Sequence, residues 1–287
     1  MPDAVTSHAL SGFSEIASGF DLCLCDIWGV VHNGVAAHAD AVAALGAMRE
    51  RGTAVVLVTN APRPRHAVAR QLAALSVPEA AYDAIVTSGD VCRALISARA
   101  GQPVYMLGPD RDLPLIAGLA VERVAPEAAA YVLCTGLFDD ETETPEDYAV
   151  LLEGFAARRL ELICANPDLV VERGGRIVPC AGALALAYER LGGTAVYAGK
   201  PHRPIYDMAL AIAQERLGRP IAPARICAVG DAIRTDIAGA RAFGATAIMV
   251  LAGIHAQDVL ELSLDDRRDW LLAQSHQPDY AMPHLVW

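Results

Sequence analysis

The sequence predicts an α/β protein: a doubly wound parallel sheet, interrupted by a second, inserted α/β domain. Three observations carry this expectation. Short apolar, partly β-branched runs at 22–26, 53–60 and 225–229 have the pattern of strands buried on both faces. Helical stretches separate them, and a strand–helix rhythm implies parallel strands with helices on both faces. The rhythm changes texture near Tyr82 and resumes near residue 197. That places one domain at 1–85 and 197–287 and an inserted domain at 86–196, an ordinary domain size.

Taken in order, residues 11–19 read as a short amphipathic helix leading into the strand that ends at Asp26. A helix over 39–51 stops at Gly52, and the run 53–60 is the next strand. Ala61-Pro62-Arg63-Pro64 breaks the chain before a helix over 65–75. In the insert, 84–87, 103–107, 129–134 and 160–164 are strand-like, Ser88 caps a helix to about 99, and Thr144-Pro145 opens one to about 158. A helix then follows Pro204, the strand 225–229 comes next, 235–243 is helical and 245–251 is a strand. A tail helix over 257–273 and the stretch 278–285 complete the first domain.

Composition narrows the function. With 54% apolar and 20% charged residues, the 287-residue chain can bury a substantial core. A net charge of −11 disfavours nucleic acid and acidic membrane surfaces. Phosphate binding by so negative a chain needs a local device such as a metal, a lysine or backbone amides. Seven cysteines, several inside strand-like runs, read as reduced, buried small hydrophobes, and Cys23/Cys25 have no second pair at zinc spacing. The N-terminus has no signal-peptide pattern and the longest uncharged window, 242–257, is too short to span a bilayer. A cytoplasmic, non-membrane protein is expected.

Four strand-to-loop junctions carry chemistry: Asp26, Thr59-Asn60, Gly199-Lys200-Pro201, and Gly230-Asp231 with Thr235-Asp236. On parallel neighbouring strands such junctions share one rim. A carboxylate can attack phosphorus, and Asp26 with Asp231 can hold Mg²⁺, a hard cation suited to carboxylates, water and phosphate oxygens. Thr59 and Lys200 would hold and neutralise the phosphate, and Asp236 would steady Lys200. Singly, each has a blander account: Asp231 as a helix cap, Lys200 as a surface lysine, Thr59-Asn60 as a strand exit. Four polar junctions of these types in this order favour the joint account.

These motifs resemble the haloacid dehalogenase superfamily, in its class IIA branch of sugar- and nucleotide-phosphatase-like hydrolases. The resemblance implies a Rossmann-like core, with the insert as a cap domain. It also implies Asp26 as nucleophile and Mg²⁺ bound by Asp26, Asp231 and the backbone carbonyl of Trp28. Phosphate would be bound by Thr59, Asn60 and Lys200. Cys164-Ala165-Asn166-Pro167-Asp168 and Pro179-Cys180-Ala181-Gly182 resemble that branch's cap. Asn166 and Asp168 are then either substrate contacts or a turn held by Asx hydrogen bonds. One departure stands out: where the family has a second aspartate as general acid and base, this chain has Trp28. An indole cannot do that work, and His32 is the nearest substitute.

The expected function is therefore Mg²⁺-dependent hydrolysis of a small phosphorylated metabolite through an aspartyl-phosphate. The alternative is a catalytically weak or inactive phosphate-ligand-binding or regulatory protein that keeps the metal site. Cleavage of another bond, phosphorus–carbon or carbon–halogen, ranks below both, and no Gly-x-Gly-x-x-Gly supports a dinucleotide site. A homodimer formed through the cap is left open.

Overall fold

A computed structural model describes residues 8–173 and 176–287. Four strands precede the insert: β1 (His8–Ala9), β2 (Leu22–Asp26), β3 (Ala54–Thr59) and β4 (Ala84–Thr87). Within it lie β5 (Pro103–Leu107), β6 (Glu122–Arg123), β7 (Tyr131–Cys134), β8 (Glu161–Cys164), β9 (Val170–Arg173), β10 (Arg176–Pro179) and β11 (Thr194–Tyr197). The last three are β12 (Ile226–Gly230), β13 (Thr246–Val250) and β14 (Tyr280–Met282).

The chain divides into two compact units. One holds the described residues up to Thr59, with Val68–Val86 and Tyr206–Trp287; the other holds Asn60–Ala67 and Thr87–Ile205. The segments 60–67 and 197–205, which the sequence assigns to the first domain, pack with the second unit.

The first unit is built on a seven-stranded sheet in the order β1-β14-β13-β12-β2-β3-β4, with parallel pairing from β1 through β3. Its central strands β2, β3 and β12 are buried at every residue, as their continuous apolar runs require. The helix Ala39–Glu50, α1, links β2 to β3 and buries Ala41, Ala44, Leu45 and Met48, a stripe at helical spacing. The second unit has a five-stranded parallel sheet, β11-β8-β7-β5-β6, and an antiparallel β9–β10 pair. Its core joins Val132, Leu152, Phe155, Leu162, Leu184 and Tyr188. All seven cysteines are buried thiols outside any disulfide. Among the described residues no helix is long and apolar enough to cross a membrane.

Some local expectations change. Residues 11–19 form two short 3₁₀ turns, Phe13–Glu15 and Ala17–Gly19, because Glu15 accepts the Ser11 and Gly12 amides instead of extending a helix. Thr87, not Ser88, caps the helix Ser88–Ser97: its hydroxyl accepts the Asp90 amide at 2.9 Å, while Ser88 donates to the Ala165 carbonyl. The tail helix is split into Ala256–Val259 and Leu264–Leu272, the second capped by Ser263.

Candidate active site

Strand β2 lies between β12 and β3. Asp26 ends β2 level with Val58, so Thr59 leaves β3 one residue further along. On the other side Val229 is level with Cys25, which carries Gly230 and Asp231 over the same carboxyl edge. This is the crevice position of an open parallel sheet. The polar side chains here are nearly covered: Asp26 is 8% exposed, Thr59 9% and Asp231 5%.

Asp236 joins them from a π-helical turn, Ile233–Ile237, which runs into the helix Ala238–Phe243. The sequence places an α-helix from residue 235; the wider turn is a feature that recurs at functional sites. One oxygen from each of Asp26, Asp231 and Asp236 lies within 4.8 Å of the others. Asp236, expected only to steady Lys200, is thus also a member of the carboxylate group, and it accepts the Ala232 amide at 3.1 Å. Three like charges at this spacing repel. An all-oxygen, all-carboxylate donor set fits a hard divalent cation.

Asp231 is held on two sides. The Ile254 amide donates to its Oδ2 at 2.8 Å. A Cβ at Gly29, where φ is +83°, would lie 2.1 Å from that oxygen, and one at Gly253 would lie 1.8 Å from it. The loops after β2 and β13 therefore close onto the carboxylate, and only glycine leaves room. Composition offered no signal for this role: Gly253 and Ile254 sit in a plain uncharged stretch and contribute space and a backbone amide.

The loop after Asp26 carries Trp28, half exposed at 52%. Its ring packs edge-on to His32, with centroids 5.2 Å apart at 80°. It also lies over Gly34, where a Cβ would come within 2.2 Å of the indole. His32 is buried, and its Nδ1 accepts the Gly34 amide at 2.9 Å. Burial first, then the charge of His38, pushes the His32 imidazole below its usual value. His32 therefore braces the loop through this hydrogen bond and its contact with Trp28.

In the second unit, Lys200 is 4% exposed and follows β11 directly, beyond Ala198-Gly199. Asn60 fixes its backbone: Oδ1 accepts the Lys200 amide at 2.7 Å, and Nδ2 donates to the Lys200 carbonyl at 3.1 Å. The same Nδ2 donates to Asp168 Oδ1 at 3.0 Å. The Asn60 side chain, expected on phosphate, is thus committed to positioning Lys200 and the turn after β8. Within that turn the Asp168 amide donates to Asn166 Oδ1 at 3.1 Å, so of the two accounts given for these residues the Asx turn is present.

A parallel α/β sheet with a buried carboxylate trio on its carboxyl edge suits a class of proteins, hydrolases and transferases in which carboxylates can pair with a divalent cation. The comparisons specify it. A haloacid dehalogenase-like hydrolase family matches residues 23–122, and a HAD-hydrolase-like family matches 197–286. The crystal structure of a haloacid dehalogenase-like family hydrolase from Brucella suis 1330 is 44% identical, with a TM-score of 0.84, covering 96% of this chain and 100% of that one. Glycerol-3-phosphate phosphatase of Gallus gallus is 28% identical, covering 94% of this chain and 91% of its own. Ribonucleotide monophosphatase NagD of Escherichia coli K12 is 27% identical over 86% of this chain and 94% of its own. The chain belongs to the haloacid dehalogenase superfamily, in its class IIA branch of phosphatase-type hydrolases.

Proposed function

We propose that the protein hydrolyses a small phosphorylated metabolite with Mg²⁺, through an aspartyl-phosphate on Asp26. The grouping of Asp26, Asp231 and Asp236 on the carboxyl edge of the sheet carries this proposal. Its relatives support the substrate class, since two of them are named as phosphatases of a glycerol phosphate and of ribonucleotide monophosphates.

In this scheme Asp26, Asp231 and the Trp28 backbone carbonyl would hold Mg²⁺, with Asp236 close by. Mg²⁺ bound there supplies positive charge that lets a phosphate approach a carboxylate. Asp26 attacks phosphorus, and the leaving group departs with its oxygen. Thr59 and neighbouring amides hold phosphoryl oxygens, Lys200 supplies a second positive charge, and Asn60 positions Lys200. The second unit acts as the cap that selects substrate.

Trp28 favours one competing account, a phosphate-binding protein that turns over nothing. Phosphate release from a panel of phosphomonoesters, with Mg²⁺ and with a chelator, separates the two. Turnover that needs Mg²⁺ and falls roughly 10³-fold or more in Asp26→Asn is expected. Tight binding with no release, or an equally active Asp26→Asn, contradicts the proposal.

A further inference from the structure

Trp28 stands two residues beyond the proposed nucleophile, and its surroundings say what kind of leaving group suits this site. From Asp26 to Gly34 the side chains capable of proton transfer are Asp26 itself and His32. Asp26 is the attacking group, and His32 is buried with Nδ1 occupied by the Gly34 amide. The other two carboxylates of the site, Asp231 and Asp236, belong to the cation-binding trio. With His32 buried, the exposed part of this loop presents no acidic side chain to a departing alkoxide.

The loop offers a planar apolar surface instead. Trp28 is half exposed, yet its ring is fixed by Gly34 beneath it and His32 against it. Two further exposed apolar side chains stand on the loops of the same unit: Val35, 85% exposed, on the nucleophile's own loop, and Ile254, 61% exposed, whose amide holds Asp231. A fixed, exposed indole stacks well on a planar π-system and has little to offer a polyhydroxylated chain.

We propose that Trp28 is a specificity-determining residue, selecting phosphate esters whose leaving group is planar and departs as an anion without protonation. Aryl and enol phosphates are the class in question. The inference rests on the phosphohydrolase proposal above. In the first step the Asp26 oxygen forms a bond to phosphorus, the ester P–O bond breaks, and its electron pair leaves on the aryl or enol oxygen. In the second, water attacks phosphorus, the P–O bond to Asp26 breaks, and the water's proton passes to a phosphoryl oxygen. Leaving oxyanions that are weakly basic depart readily in this way, and aryl and enol oxygens are far less basic than an alkoxide.

The test is kcat/KM for aryl phosphates of graded leaving-group acidity, alongside glycerol phosphate and an acidic but non-aromatic alkyl phosphate. Wild-type enzyme is expected to prefer 4-nitrophenyl phosphate over glycerol phosphate by roughly 10²-fold or more, with a steep dependence on leaving-group acidity. Trp28→Asp should cut that ratio at least about tenfold by raising the alkyl rate. Trp28→Leu should lose the preference for aryl over non-aromatic esters of matched acidity, and Trp28→Phe should keep most of it. A flat dependence in the wild type, or ratios unmoved in Trp28→Asp and Trp28→Leu, overturns the inference while Asp26-dependent turnover leaves the phosphohydrolase proposal standing. No release from any ester refutes both.

Discussion

Asp231, a proposed Mg²⁺ ligand, shows how a single carboxylate is fixed by its surroundings. Its Oδ2 accepts the Ile254 amide at 2.8 Å, and Gly29 and Gly253 approach it so closely that a side chain at either position would overlap it. Fixing a ligand from outside its coordination sphere typically matters 10–100-fold in metal affinity. Gly253→Ala puts a methyl 1.8 Å from that oxygen, so it should raise the Mg²⁺ concentration needed for half-maximal phosphate release about tenfold or more. Gly46→Ala is the matched control. Gly46 lies inside α1 with nothing within 4 Å of its added methyl, so this variant should gain up to about 1 kcal/mol of stability and keep its Mg²⁺ response. Equal responses in the two variants would remove the steric account of Asp231.

Between elements, side chains at strand exits do the tying. Asn60 joins the exit of β3 to the Lys200 backbone and to the turn after β8 with three hydrogen bonds. Asn60→Ala leaves the buried Lys200 amide without that acceptor, and should cost roughly 2–3 kcal/mol in urea unfolding together with a fall in kcat. A drop in activity with unchanged stability would instead make Asn60 a direct substrate contact. At the amino end of β2, Asp21 accepts from Arg225 at 2.7 Å and Arg219 at 3.0 Å. Arg225 foremost, then Arg219, hold its carboxyl far below the usual range, against the opposing effect of burial. A depressed carboxylate stabilises the fold above its unfolded value near pH 4, and the benefit fades as pH falls through the folded value. Both arginines are about half exposed, so screening keeps the effect small. Asp21→Asn should melt on the order of 2 °C below wild type at pH 7, with the gap narrowing below pH 4. A gap independent of pH would show that the ion pairs are not its source.

For the molecule as a whole, most of the sheet was legible because β2, β3 and β12 are apolar on both faces and end in polar residues, a pattern composition alone displays. The acidic members of the site were legible for the same reason: Asp26 and Asp231 interrupt apolar runs at the point where a strand must stop. Other features were not. Nothing local marks Gly253 as the wall behind Asp231, since the clash that defines it involves residues 22 positions apart in sequence, at the exits of two neighbouring strands. The Asn60 amide looked free for phosphate, because its partners Lys200 and Asp168 lie more than 100 residues away. The split tail helix depends on one Ser263 hydroxyl, a cap whose effect the surrounding helical pattern masks.

The central claim is that Asp26 becomes covalently phosphorylated. The most direct measurement is acid quenching of the Mg²⁺-loaded protein during turnover of an aryl phosphate, followed by mass spectrometry of the peptide that contains Asp26. A phosphoryl group on that peptide, absent in Asp26→Asn, is the predicted result. Sustained phosphate release with no phosphoryl group trapped on Asp26, and undiminished in Asp26→Asn, would contradict it.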